Sequence, residues 1–273
     1  PDIIRNEHFF KKKISKKNLN NNIFLDHFFG LSSYDLDFYK KNKISINNPK
    51  VSGSLTLANA VLFFKKKKIK IEKNKYDICL ISDGFTSKHD KIFGAPGWEK
   101  NISIYLKNLI KIIKKNKLKF IFCIKRTKDA YLEEVKFYQK YLEKEEVDFL
   151  FANSNERKID EYISPTYKDM LQSKLTISVW STLLRENMQL GRKSLCVDVD
   201  PNGVYMSPLR GICRILNPNF NKLEKRILYL LSISEKNYVL AIGKKINYFI
   251  FPHQHKTIKI IKNSITNIVN RKI

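Results

Sequence analysis

The stretch LTISVWSTLLRENMQLGRKSLCVDVD, Leu175 to Asp200, decides the fold. It opens on LTISVWS (175–181), a run apolar at successive rather than alternate positions, the pattern of a strand covered on both faces. Thr182–Leu190 then takes helical spacing and stops at Gly191, a residue suited to a helix carboxyl-terminal cap. KSLCVDVD (193–200) resumes a strand. Strand, helix and strand in direct succession imply a parallel βαβ unit.

The same pattern extends outward. YDICLISDG (76–84) is a short apolar run closed by an Asp-Gly turn. Residues 99–118 place Ile102, Leu106, Leu109, Ile110 and Ile113 on one helical face. LKFIFCIKR (118–126) reads as a second strand, 128–146 as a charged helix, and VDFLFAN (147–153) as a third strand. A short helix over Tyr167–Gln172 precedes the central stretch, and 222–234 and 255–270 read as further helices. The expected class is α/β, a doubly wound parallel sheet of the Rossmann-like kind. Ahead of it, residues 1–48 are polar and Asn/Lys-rich around the apolar island IFLDHFFGL, and read as incomplete structure. Ser32-Ser33 offers a cap for a short helix through Asp35 and Tyr39. KVSGSL (50–55) reads as a short strand ending in a small-residue turn, and KKKKIKIEK (65–73) as a solvated linker.

The 273 residues carry 52 Lys+Arg against 26 Asp+Glu, a formal charge of +26. With 43% hydrophobic and 12% aromatic residues there is enough apolar surface for a core, which excludes a mainly disordered chain. Nine Gly and eight Pro exclude collagen-like and low-complexity architectures. Four Cys are too few for a disulfide scaffold at this length and point to a reducing compartment. Only nine of the basic residues are Arg. A dedicated nucleic-acid reader leans on Arg for bidentate contacts, so the lysine excess reads first as compositional background. Residues 151–210 are close to neutral, and the segments on either side hold the excess. No run approaches the roughly 18 apolar residues of a spanning helix, and no signal peptide is visible. The chain opens on Pro1 rather than Met, which fits a fragment or a processed product.

In a doubly wound sheet, ligands bind outside the carboxyl ends of the strands. The residues just past each strand are therefore the candidates. They are Ser82, Asp83 and Gly84; Lys125 and Arg126; Ser181 and Thr182, opening a helix that carries Arg185 and Glu186; and Asp198, Asp200 and Asn202. Ser181 and Thr182 stand where free backbone N–H groups and the positive end of a helix dipole meet, a site for phosphate or diphosphate. Lys125 and Arg126 add positive charge at a neighbouring strand end. Glu186, one helical turn inward, can accept from ribose or sugar hydroxyls. Arg210 follows the last strand within reach of an anionic ligand. Asp198 and Asp200 alternate along a strand and so face opposite sides, which argues against a metal-binding Asp-x-Asp. No metal site is expected.

The central stretch, with its hydrophobic strand, hydroxyl pair, Glu-bearing helix, Gly-Arg-Lys and following strand, resembles the carboxy-terminal domain of GT-B glycosyltransferases. It looks most like bacterial surface-carbohydrate transferases, including the CDP-glycerol glycerophosphotransferase type; the same layout also serves sugar-nucleotide 2-epimerases. SYDLDFYKKNKISINNPKVSGS is similar to the end of the amino-terminal domain there, and YKDMLQSKL to the helix before the Ser/Thr strand. The resemblance spans roughly residues 34–235. It implies a GT-B-like fold with a partial amino-terminal domain: 1–60 as its acceptor-side remnant, 61–75 as a basic linker, 76–235 as the donor-binding domain, and 236–273 as a closing strand and helix. It further implies that Ser181, Thr182 and Glu186 hold the donor's diphosphate and ribose or sugar. Lys125 and Arg126 would neutralise the leaving diphosphate, and Gly53 and Ser54 would line the interdomain cleft. The catalytic residue is not assigned.

The activity so implied is transfer of a sugar or polyol-phosphate from a nucleotide-activated donor, with no cofactor, to a polysaccharide or lipid-linked acceptor. It would take place in the cytoplasm or on the inner face of the cytoplasmic membrane, with peripheral contact to anionic lipid. A sugar-nucleotide epimerase on the same fold is the alternative enzyme. A basic module binding anionic membrane or nucleic acid, without catalysis, is the alternative of another class; scattered lysine runs without interleaved aromatics argue against nucleic acid.

Overall fold

The structure is a computed structural model and describes residues 23–83, 98–124, 129–155, 165–199, 209–243, 246–251 and 254–270. Its centre is a six-stranded sheet of β3 (Tyr76–Ile81), β4 (Phe120–Cys123), β5 (Ser154–Asn155), β6 (Ser173–Ser178), β7 (Ser194–Asp198) and β8 (Arg214–Leu216). The spatial order is β5-β4-β3-β6-β7-β8 and every pairing is parallel. Counted from β3, this is the 3-2-1-4-5-6 order of a doubly wound sheet, and the order reverses between β3 and β6.

The central strands bury both faces. Ile78 and Leu80 of β3 and Phe120 and Phe122 of β4 join one core. That core also holds α3 (Trp98–Lys115), α4 (Asp129–Tyr141), α5 (Lys144–Ala152) and α8 (Phe220–Ser232). Their neighbours Cys79, Ile81, Ile121 and Cys123 face the other way, onto α2 (Leu55–Lys66) and α6 (Thr166–Gln172). Double coverage is why these strands read as unbroken apolar runs. All four cysteines are buried and free of disulfides.

Ahead of the sheet, β1 (Ile23–Gly30) and β2 (Ile44–Val51) pair in parallel around α1 (Ser33–Lys41). Ser32 and Asp35 form a capping box at the start of α1. Gly53, at φ +79°, turns the chain from β2 into α2 in the left-handed region that a side chain disfavours. α7 (Thr182–Gln189) crosses from β6 to β7, and the chain closes through α9 (Glu235–Ile242), α10 (Ile246–Phe249) and α11 (Thr257–Asn270). The last helix returns to the amino-terminal unit, where Thr257 Oγ1 donates to the Ser52 carbonyl and Lys50 Nζ donates to Ser264 Oγ at 2.9 Å.

The structure corrects the sequence reading in four places. VDFLFAN is not a strand: a capping box between Glu143 and Glu146 starts α5 there, Val147 and Leu150 turn inward one helical turn apart, and only Ser154–Asn155 pairs with β4. The segment read as a basic linker over 61–75 begins inside α2, whose Ala60 and Phe64 are buried. The apolar island before residue 33 belongs to a true strand, β1. Residues 236–273 hold helices and no strand among those described.

Candidate functional site

The crevice at the carboxyl ends of β3 and β6 is built on a buried carboxylate. Asp83 follows β3 at φ +59°, a conformation that Asp tolerates better than most side chains. The Ser178 hydroxyl, at the end of β6, donates into its carboxylate at 2.7 Å, and Val179 N–H donates to Oδ2 at 2.8 Å. Ser178 Oγ in turn accepts the Ser181 N–H at 3.0 Å. One carboxylate on β3 therefore fixes the bend by which β6 enters α7. Close to it, the Tyr105 hydroxyl is buried and has no hydrogen-bond partner among the described residues. Burial, then the charge of Asp83, pushes that hydroxyl well above the ordinary tyrosine range. Tyr138 is shifted the same way, by burial first, and its hydroxyl donates to the Ser82 carbonyl at 3.3 Å.

Ser181 caps α7, its hydroxyl accepting from Leu183 N–H at 3.3 Å, while Leu184 N–H donates to the Ser181 carbonyl. The Thr182 N–H takes part in none of these bonds. It stands at the positive end of α7, where anion attraction adds about 0.3–1 kcal/mol.

One turn into α7, two consecutive buried residues tie the helix to the amino-terminal unit. Glu186 accepts the Ser54 hydroxyl on Oε1 at 2.7 Å and the Tyr167 hydroxyl on Oε2 at 2.8 Å. Ser54 is also the cap of α2, its Oγ accepting from Leu57 N–H at 3.1 Å. Arg185 grips Asp35 bidentately at 2.8 and 2.9 Å, donates to Ser32 Oγ at 2.6 Å, and reaches the Phe249 carbonyl through Nε at 2.8 Å.

Ser54 and Glu186, singled out separately in the sequence, thus meet directly, and Asp83 and Ser181 meet through Ser178. Gly53 lies one residue from this contact, and Ser82 and Thr182 flank the crevice. Arg210 does not join them: it precedes the 3₁₀ turn Gly211–Cys213 that leads into β8, which puts it toward the amino ends of the strands. Asp198 is held by the Arg214 guanidinium, a pairing that occupies the carboxylate considered for a metal. Gly84, Lys125, Arg126, Asp200 and Asn202 lie outside the described residues. The sequence marks Ser32 and Asp35 only as a helix cap and Tyr167 only as the start of a short helix, and it does not mark Ser178; their contacts with Arg185, Glu186 and Asp83 run to other elements and leave no local signature. The adjacent Arg185-Glu186 pair, facing inward on a short helix, was the one available signal.

No protein-family model matches the chain, and no curated protein matches it in sequence. Solved structures do. The wall teichoic acid polymerase TagF aligns with a TM-score of 0.53 at 14% identity, over 91% of this chain and 59% of its own. A histidine-to-alanine variant of TagF aligns with a TM-score of 0.53 at 15% identity, over 96% of this chain and 61% of its own. Sucrose-phosphate synthase from Thermosynechococcus elongatus gives 0.40 at 11% identity, over 89% and 59%. The chain thus spans about three fifths of the length of these structures. The likeness to TagF carries the fold, and the expected GT-B-like α/β class with a doubly wound parallel sheet is the one found. No helix among the described residues is long and apolar enough to cross a membrane.

Proposed function

We propose that this chain is the donor-binding part of a transferase that moves a sugar or polyol-phosphate from a nucleotide-activated donor, without a cofactor. In this reading residues 76–235 hold the donor and residues 1–60 are what is present of the acceptor side. The observation that carries it is the crevice at the β3/β6 reversal, where Asp83 and Ser178 hold the bend that brings β6 into the amino end of α7. A diphosphate there would meet the Thr182 N–H and hydroxyl and the helix dipole. Lys125 and Arg126 would add the positive charge that steadies the leaving group. Donor binding would rest on positioning and electrostatics. Glu186, one turn past the amino end of α7, accepts the Ser54 hydroxyl, so it would set the spacing between donor helix and cleft as much as offer an acceptor for sugar hydroxyls. The acceptor would be a polysaccharide or a lipid-linked acceptor, and the working place the cytoplasm or the inner face of the cytoplasmic membrane.

The test is a thermal-shift panel of nucleotide-sugars and CDP-polyols. A donor at about a hundred times its dissociation constant stabilises by about 2.7 kcal/mol, a rise of roughly 5–10 °C for a chain of this size. Thr182→Ala combined with Arg126→Ala should abolish the rise. A panel without any shift would refute donor binding. Epimerised product in the absence of acceptor would select the epimerase instead. Steeply salt-dependent binding to anionic lipid or nucleic acid with no donor shift would select the binding module.

A further inference from the structure

At the opposite pole of the sheet, where β3 and β4 begin, lies a cleft of about 600 Å³. Lys75, Lys114, Lys117 and Lys119 line it, with Glu72 as the one carboxylate of its lining. Among the described residues no carboxylate stands within ion-pair distance of any of these four ammoniums. Four other surface lysines do meet a carboxylate: Lys107 with Glu143, Lys115 with Glu224, Lys140 with Glu99, and Lys174 with Asp77; what sets the cleft apart is that its four ammoniums converge on one concave wall. The carboxyl ends of α3 and α5 also reach this cleft, and each contributes about half a negative charge. Four ammoniums against one carboxylate and two helix ends still leave about +2 in a concave site, which concentrates anions. The wall is not only basic. Phe149 and Leu118 are partly buried and complete an apolar side, with Lys114 Nζ 4.6 Å from the Phe149 ring centroid. Such a volume holds roughly twenty waters at about 30 Å³ each, far more than an inorganic phosphate fills.

The geometry points to a second anion site in this cleft, one that takes a phosphate ester on a larger, partly apolar body. Lysine suits it, because a compact ammonium binds phosphate as a point charge where arginine would add bidentate selection. The site is separate from the donor crevice and does not depend on the transferase reading. The full chain would be titrated at about 0.1 M salt, where charges beyond about 10 Å are screened. The probes are phosphatidylglycerol vesicles, phosphatidylcholine vesicles and soluble glycerol 3-phosphate. Binding to phosphatidylglycerol alone assigns a membrane headgroup, and binding to glycerol 3-phosphate assigns a free ester; either supports the site. Lys117→Gln with Lys119→Gln should weaken that binding about tenfold. Lys222→Gln with Lys225→Gln, the same charge change on the exposed face of α8, should leave it within about twofold. In the unsubstituted chain, the Asn153 amide resonance should move on titration, a reading that does not rely on the variants folding. The proposal is overturned by equal losses in the two double variants, by equal binding to phosphatidylcholine, by a still Asn153 amide, or by binding to neither ester.

Discussion

The two parallel sheets of this molecule are held by different forces. The six-stranded sheet rests on apolar burial from both sides: Ile78, Leu175, Ile177 and Leu195 are inaccessible to solvent. The β1–β2 pair has no such cover. Only Ile44 of β2 is buried, most of the rest of that strand faces solvent, and its cluster is Phe38, Tyr39 and Ile44 with four partly buried neighbours. This small unit is positioned by the Tyr34 ring, which packs on Tyr248 and Phe249, and above all by a polar set: Asp35 to Arg185, Ser54 to Glu186, and Ser52 and Lys50 to α11. Two of these anchors leave from one short helix, α7, whose amino end also faces the crevice. Burial makes the scaffold, and polar contacts set the position of the small unit on it.

Arg185→Ala should therefore have the largest effect. It leaves the Asp35 carboxylate buried with only its capping-box partners, and breaking such a pair costs about 3–5 kcal/mol. The loss should fall unevenly, with amide exchange rising sharply in β1 and β2 while β3 and β6 stay protected. Uniform loss of protection would contradict the division drawn above. Ile177→Ala should do the reverse. It leaves a cavity in the large core, costs about 2–5 kcal/mol, and lowers the global transition seen by circular dichroism.

The two regions were unequally legible in the sequence, for the same reason. β3, β6 and β7 announce themselves because double burial forces continuous apolar runs, and Gly191, at φ +73°, marks the end of α7. β2 reads ISINNPKV, which hides a strand, since its residues are chosen for solvent and for β1 rather than for a core. α5 reads as a strand because the seven residues VDFLFAN fit either period, and only the Glu143–Glu146 capping box decides between them. Ser54 and Glu186 were each visible as candidates, yet their contact spans 132 positions and leaves no local trace. Asp35 and Arg185, 150 positions apart, left even less.

Asp83→Ala removes the acceptor for Ser178 Oγ–H and Val179 N–H, groups whose desolvation then goes uncompensated by about 1–3 kcal/mol. Global stability should fall by that much, and the thermal shift with donor should shrink, because the amino end of α7 loses its support. An undiminished donor shift would show that the bend keeps its shape without Asp83. Tyr167→Phe removes one of two hydroxyls from Glu186 and should cost about 0.5–1.5 kcal/mol, read as a modest rise in β1–β2 amide exchange. No change there would place Ser54 alone as the anchor of that contact.

The central claim is that the crevice between β3 and β6 binds an activated donor through the amino end of α7. Amide resonances followed during titration with nucleotide-sugars and CDP-polyols test it most directly. One donor class should move the Thr182 and Leu183 amides first and furthest, with Val179 following, and Thr182→Ala should weaken the titration. Shifts confined to other faces of the sheet, or none across the panel, would contradict it.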